Sequence, residues 1–437
     1  MNIFAIGGYS EIGRNMTAIK VGDDTLLLDC GLWIEKVVEI EDGNISQMNV
    51  IELMEREAVP NDLDFFEKHG RSVKAIVCTH AHLDHCGAIP ILANKYKAPI
   101  IATPFTIEVI QSLYEERGTE IPRFIRLNPG SSYRIASFLI RFLHVTHSTP
   151  QTVMASIESK EGEILYANDF KFDDHPLLGK KTDYSGISER KGAKLLISDS
   201  TRIEREGRCY SESLVKEMLS DILEWVGSEE KLLILTTFSS HLARIRMMVE
   251  MLRKVKREPL LLGRSLATYI ECAERINLIN FPKYCKVLGE KEKIDKALKQ
   301  VSHDPGKYAI ICTGNQGEPR SVLFRIARDE TPLKLSNEDV VIFCSEVIPS
   351  PINRAHRADL ERRLRNKGVR IFKDVHVSGH AFREDHRWLL KTIGPKYYLP
   401  THGGLDKIVH AVELAHELGY ELNKDVFVLQ NFQELKI

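Results

Sequence analysis

The chain has 437 residues, 43% of them hydrophobic and 28% charged, with a formal net charge of −1. Those values fit a globular protein of two or three structural units and exclude nucleic-acid binding through overall basicity, so any such binding needs a local basic surface. No apolar run approaches the roughly 20 residues that span a bilayer, and the N-terminus lacks the basic-then-apolar pattern of a secretory signal. The eight cysteines are scattered without a C-x-x-C pair, so a cytoplasmic protein with reduced thiols and no membrane association is expected.

In chain order, Met1–Gly8, Met16–Val21 and Thr25–Asp29 read as strands, with a loop at Glu11–Asn15. Asp29, at the end of an apolar strand and before Cys30-Gly31, either initiates a turn or supports a site from behind. Ile34–Arg71 reads as a charged, irregular loop with one helix at Val50–Ala58. Val73–Cys78 is a buried strand, and it runs into His80, His82, Asp84 and His85, an H-x-H-x-D-H cluster. Helical spacing follows at Gly87–Lys97, so the cluster sits on a strand-to-helix loop, where α/β proteins place their sites. Neutral imidazoles and carboxylates hold Zn²⁺ or Mn²⁺ while leaving positions for water. Four such residues are too many for one catalytic metal with an open position and suit two metals, if other segments supply the rest.

Pro99–Thr103 reads as a strand, Pro104–Arg117 as a helix and Ser131–Leu143 as a strand pair leading to His144 and His147. One of these two completes the first metal site. His147 precedes a Ser-Thr-Pro turn that can face a cleft, whereas His144 reads as a half-buried strand residue. Glu163–Ala167 is a strand followed by Asp169, whose two oxygens can each bind one cation. Leu195–Asp199 repeats the pattern. Three strand ends bearing Asp29, Asp169 and Asp199, and a fourth bearing the His cluster, imply one shared cleft.

After Thr201 the texture becomes alternating helix and strand. Helices are expected at Ser211–Val226 (ending at Gly227), His241–Lys256 and Ser265–Ile276, and strands at Leu232–Thr237, Leu260–Gly263, Lys307–Cys312 and Val340–Cys344. This reads as an inserted α/β unit with a parallel sheet. Arg354–Lys373 carries eight basic residues against Asp359 and Glu361. It is either a solvated helix face with internal ion pairs or a surface for a phosphate backbone. A second His-rich region follows: His376 and His380 in HVSGH, a helix at Arg383–Ile393, a strand at Lys396–Pro400 ending at His402, a helix at Leu405–Leu418 and a last strand at Val426–Val428.

The ordered motifs GGYSEIGRN (7–15), LLLDCG (26–31), THAHLDHCGAIP (79–90), VTHSTP (145–150), ANDFKFD (167–173), LLISDST (195–201), TGNQGEP (313–319), HVSGH (376–380) and YYLPTHGG (397–404) span nearly the whole chain. Together they resemble the β-CASP branch of the metallo-β-lactamase superfamily, and within it ribonuclease J of the archaeal type. The resemblance implies an α/β fold: an αββα metallo-β-lactamase domain over residues 1–204 and 348–437, with a β-CASP domain inserted over 205–347. It implies two Zn²⁺, with Mn²⁺ as the alternative, the first held by His80, His82 and His147, the second by Asp84, His85 and His402, and Asp169 bridging. It makes Asp29 the residue that orients a ligand from behind, Asp199 the first acidic β-CASP residue and His380 the histidine near the scissile phosphate. Ser345, His376 and Ser378 fall where relatives bind an RNA phosphate, although Glu346 places a negative charge beside Ser345. Gln316, with Gly314 and Gly317, forms either part of an anion-binding turn or a simple strand-to-helix turn.

The activity implied is hydrolysis of single-stranded RNA by a two-metal-activated hydroxide, proceeding 5′ to 3′ from 5′-monophosphate ends. Asp84 orients the nucleophile and His380 supplies a proton to the leaving oxygen. Family analogy adds a homodimer. Endonucleolytic cleavage is the main alternative. A small-molecule metallohydrolase would not need the inserted domain, and a non-catalytic RNA-binding scaffold would not need all seven ligands.

Overall fold

The computed structural model describes residues 1–40, 45–226 and 230–437, and in it the apolar runs become three sheets. The first orders its strands Gln433–Lys436, Asn2–Gly7, Met16–Val21, Asp24–Leu28, Val73–Val77, Ile100–Ala102 and Phe124–Arg126. The second runs Tyr397–Thr401, Leu195–Asp199, Gly162–Ala167, Val153–Ser159, Phe138–His144 and Ser132–Ile135. These two face each other: Ile3, Ile19, Leu26 and Val77 of one pack with Phe138, Phe142, Ile157 and Ile197 of the other in a single buried cluster. The outer face of the second sheet is covered by the helices Arg383–Ile393 and Leu405–Glu417, whose Leu389, Leu390 and Leu414 pack with Leu165 and Leu196. Each fully buried side chain of this kind contributes about 1.5–3 kcal/mol through removal from water.

The third sheet is parallel throughout, ordered Lys286–Leu288, Glu258–Leu262, Tyr308–Cys312, Leu233–Thr236, Val340–Phe343 and Arg370–Phe372. Its central strands are apolar without alternation, as strands covered on both faces must be. The chain accordingly divides into two compact units: residues 1–174, 179–209 and 378–437 form one, and 175–178 and 210–377 the other. All eight cysteines are free thiols, seven of them buried. No helix among the described residues is long and apolar enough to cross a membrane.

Several expectations need revision. The second unit extends to Val377 rather than 347, because the helix Pro351–Asn366 buries Leu360 and Leu364 against its core and Arg370–Phe372 adds its edge strand. Among the described residues, Ile34–Arg71 holds three short α-helices, Ile34–Glu39, Val50–Glu55 and Leu63–His69. Six or seven residues show too little period to stand out, although Asn49 caps the second by accepting from the Glu52 amide at 2.8 Å. Gly87–Lys97 is broken into short pieces, with Pro90 near the start of Ile89–Leu92. Val426 makes only isolated bridges, and the last strand is Gln433–Lys436, paired with the N-terminal strand across the sequence. Gly227, expected to end a helix, lies outside the described residues. The basic stretch 354–373 is extensively ion-paired: Asp359 meets Arg362 and Arg363, and Glu361 meets Arg357, Arg365 and Lys373.

Ile310 is fully buried at the middle of the parallel sheet. Ile310→Ala should destabilise that unit by about 2–5 kcal/mol through lost burial and the cavity left behind, read as a lower urea midpoint by circular dichroism.

Candidate metal centre

Each candidate ligand stands where a strand ends. His80 and His82 follow Val73–Val77, and Asp84 and His85 sit on the one-turn helix Leu83–Cys86. His147 follows Phe138–His144, Asp169 follows Gly162–Ala167, and His402 follows Tyr397–Thr401. Asp29, Asp169 and His402 adopt positive φ angles of 58°, 43° and 57° within two residues of the end of their strands. This left-handed turn is uncommon for side-chain-bearing residues, with Asp and His among those that tolerate it best. Here it recurs at three positions of one cluster, the pattern of local strain held at a site.

The seven residues form two sets that share one carboxylate. His80, His82, His147 and Asp169 offer ligand atoms within 4.8 Å of one another, as do Asp84, His85 and His402. In the first set, His82 Nδ1 lies 3.2 Å from His80 Nε2 and 3.1 Å from His147 Nε2, and both Nε2 atoms lie 3.4 Å from Asp169 Oδ2. A tetrahedral shell with Zn–N bonds of about 2.0–2.1 Å has edges of about 3.3 Å, so the donors are spaced as the corners of such a shell. In the second set, Asp169 Oδ1 lies 3.1 Å from His85 Nε2 and 3.3 Å from His402 Nε2, while Asp84 Oδ2 lies 3.8 and 3.6 Å from the same atoms. Asp169 Oδ1 is buried and, among the described residues, has no well-aligned hydrogen-bond donor. A buried carboxylate oxygen facing imidazole nitrogens without a hydrogen bond fits a bridging cation ligand.

Electrostatics agree with a cation in this place. Burial pushes His80 down to about 4 and His147 well below the ordinary histidine range, so both are neutral at pH 7, as metal binding requires. Around His85 burial is outweighed by Asp169, Asp84 and Asp29, which hold its ring well above that range. The cluster thus favours positive charge beside its carboxylates, whether a proton or a metal supplies it.

Behind the ligands stands a shell of hydrogen bonds that aims them. Asp29 Oδ2 accepts from His85 Nδ1 at 2.8 Å and from the Tyr166 hydroxyl at 2.9 Å, and Oδ1 accepts from the Thr79 amide at 2.8 Å. His147 Nδ1 donates to the Gly379 carbonyl at 2.6 Å. The bonds at His85 Nδ1 and His147 Nδ1 orient those rings with Nε2 toward the cluster. Asp29 thus contacts the ring of a candidate ligand directly. Residue-by-residue reading missed Asn15, whose amide lies 3.0 Å (Oδ1) from His402 Nδ1 and donates to the Asp84 carbonyl at 3.1 Å. It also missed Asn168, which donates to both Asn15 Oδ1 and Tyr166. The signal was present in GGYSEIGRN and ANDFKFD, but an amide carries no ligand chemistry by itself. His144 stays outside the cluster, its Nε2 2.8 Å from the Lys180 carbonyl.

His380 Nδ1 lies 2.8 Å from Asp199 Oδ2, and its Nε2 lies 3.8 Å from Asp169 Oδ2. Burial alone would lower its pKa, yet Asp199 and Asp169 raise it to about 9. The Ser378 hydroxyl accepts from the His380 amide at 3.0 Å and so shapes the turn that carries the ring.

The remaining candidates belong to the second unit. Ser345 Oγ is buried without a hydrogen-bond partner. His376 Nδ1 meets Arg244 Nη1 at 2.8 Å, and its Nε2 lies 3.8 Å from Glu346 Oε2. Gln316 uses its amide otherwise than for an anion: Nε2 donates to the Glu346 carbonyl at 2.9 Å and Oε1 accepts from the Ile348 amide at 2.8 Å. The side chain staples the 313–319 turn to the 344–350 segment.

Comparison with known proteins agrees with this architecture. Residues 10–204 match the metallo-β-lactamase superfamily, 230–357 the ribonuclease J β-CASP domain and 366–429 the Zn-dependent metallo-hydrolase RNA specificity domain. The ribonuclease J of Methanocaldococcus jannaschii is 41% identical over 99% of this chain and 98% of its own. That of Pyrococcus abyssi is 38% identical over 100% and 97%. A crystal structure of a protein of unknown function from Enterococcus faecalis covers 99% of both chains with a TM-score of 0.66 at 16% identity, which supports the fold alone.

Metal analysis by mass spectrometry after equilibration with Zn²⁺ checks the two-set geometry. Wild type should hold about two ions per chain, His82→Ala about one, and His144→Ala about two. Asn15→Ala should keep the ligands but weaken binding by about 10–100-fold, because it removes the support of His402.

Proposed function

The chain belongs to the ribonuclease J family, and on that premise we propose that it is a metal-dependent 5′–3′ exoribonuclease acting on single-stranded RNA with 5′-monophosphate ends. The observation that carries the hydrolytic reading is the pair of donor sets sharing Asp169, with the His380–Asp199 pair beside them. The nitrogen-rich first set favours Zn²⁺, and the more oxygen-rich second set also suits Mn²⁺. Cations bound there would lower the pKa of a water and neutralise charge growing on the phosphoryl oxygens.

The chain's own residues then divide the work. Asp84 reaches the cluster with one carboxylate oxygen and is partly exposed, its side chain 20% accessible. His85 and His402 outweigh the effect of burial and keep it below the usual carboxylate range, so it is an unprotonated acceptor that can orient the attacking water and take its proton. His380 keeps its proton at neutral pH because Asp199 holds Nδ1–H, and this leaves Nε2–H to donate to the leaving oxygen. Asp199 also accepts from the Thr201 amide at 2.7 Å, which fixes its own orientation.

A pocket for a 5′-phosphate is supported by unpartnered buried donors in the second unit. Ser345 Oγ, Asn315 Nδ2 and Asn353 Nδ2 all lack hydrogen-bond partners among the described residues. They lie on the segments that Gln316 staples together and on the first turn of the helix that follows. Eight free thiols suit the reducing cytoplasm, where we place the protein.

The test uses single-stranded RNA labelled at the 5′ end in one sample and the 3′ end in another, each with a 5′-monophosphate or 5′-triphosphate. Immediate release of labelled mononucleotide from the 5′ end, faster for monophosphate and abolished in His82→Ala, is expected. Discrete internal fragments indifferent to the 5′ group would make it an endonuclease instead. Absence of metal-dependent cleavage would overturn the nuclease reading and leave an RNA-binding scaffold.

A further inference from the structure

Arg244 is the largest fully buried side chain among the described residues, at 0% exposure, two residues into the helix Leu242–Lys254. A guanidinium in that position is costly unless all its donors are used. Here all five N–H groups have acceptors. Nε and Nη2 donate to the two carboxylate oxygens of Glu212 at 2.6 and 2.8 Å. Nη1 reaches the Cys344 carbonyl and His376 Nδ1, both at 2.8 Å, and Nη2 reaches the Val377 carbonyl at 3.3 Å. The Glu212 carboxylate is met from the other side by His241 Nε2 at 3.5 Å.

We propose that Arg244 is a positioning residue for RNA binding, which fixes the His376 ring as its Nε2–H tautomer and ties it to the peptide that leads into Ser345. The inference rests on the reading of His376 and Ser345 as phosphate-binding groups. Its physical basis is that arginine stays protonated and only donates. A ring nitrogen hydrogen-bonded to it must therefore accept. His376 Nδ1 is that nitrogen, so in the neutral ring the proton is on Nε2. That nitrogen is the one turned toward Glu346, and the side chain retains 16% exposure. The ring is thereby preset as a donor to a phosphate oxygen, with no tautomer change needed on binding. The same Nη1 holds the Cys344 carbonyl, so one guanidinium nitrogen sets both the ring and the segment bearing Ser345. Neutralising Glu212 alone would need only a cation. A lysine ammonium has three donors and cannot meet four acceptor groups at five points.

Two measurements on the full-length, metal-free protein test this. The first is the imidazole ¹⁵N spectrum of selectively labelled protein, with His376 assigned by comparison with His376→Ala. A protonated Nε2 and an unprotonated Nδ1 in wild type are expected, and a protonated Nδ1 would overturn the proposal without any arginine variant. The second is fluorescence anisotropy with 3′-labelled, 5′-monophosphorylated single-stranded RNA. Arg244→Lys, which keeps the charge opposite Glu212, and His376→Ala should each weaken binding by about tenfold, roughly the loss of one charge-assisted or well-placed hydrogen bond. The double variant should bind no more weakly than His376→Ala, because Arg244 acts through that ring. Multiplying effects would overturn the positioning role. If His376→Ala binds RNA like wild type, the phosphate reading fails and the RNA-binding role with it, a failure the spectrum separates from an error in the tautomer.

Discussion

Asp169 meets one set of imidazoles with Oδ2 and another with Oδ1, and the second oxygen faces the nitrogens of His85 and His402 at 3.1 and 3.3 Å. Much of the first unit can be understood as holding that carboxylate and its surroundings in place. A buried carboxylate among six histidines is unfavourable unless charge is balanced. The structure balances it partly with His85 and His380, whose rings are held toward the protonated form by neighbouring carboxylates despite burial. A pair of cations would complete that balance, and the separation of the two oxygens determines how the donors divide between them.

The fold supplies the rigidity this requires. The candidate ligands come from four strand ends across two packed sheets, and the sheet core between them is continuous. Left-handed turns at Asp29, Asp169 and His402 redirect the chain within two residues of a strand end. Close packing removes freedom elsewhere. A Cβ on Gly31 would fall 1.6 Å from the Asp84 carbonyl oxygen, and one on Gly379 would fall 3.1 Å from the His147 ring. The backbone approaches the ligands so closely at these positions that a side chain would displace them.

Much of this was legible in the sequence because ligand chemistry and strand ends coincide. H-x-H-x-D-H follows a valine-rich run, and Asp169, Asp199 and His402 each close a strand whose bounds were readable within a residue or two. Pro104–Arg117 and Arg383–Ile393 were readable to the residue because their periods are long and their ends are marked by proline, glycine or a change of pattern. What escaped depends on distant partners. The strand Val153–Ser159 mixes serine, alanine and glutamate, and its place inside the second sheet follows from pairing with both neighbours. Gln433–Lys436 is largely exposed and is a strand only because the N-terminal strand lies beside it. Asn15 and Arg244 have no motif chemistry of their own, and their importance appears only once the groups they touch are known.

The central claim is that one carboxylate divides the six other candidate ligands into two cation sites. Anomalous diffraction at the zinc edge, on crystals grown with Zn²⁺, tests it most directly. Two peaks about 3.5–4 Å apart are expected, one among His80, His82 and His147, the other among Asp84, His85 and His402, with Asp169 between them. A single peak with His85 and His402 turned away, or no peak at the cluster, would contradict the account.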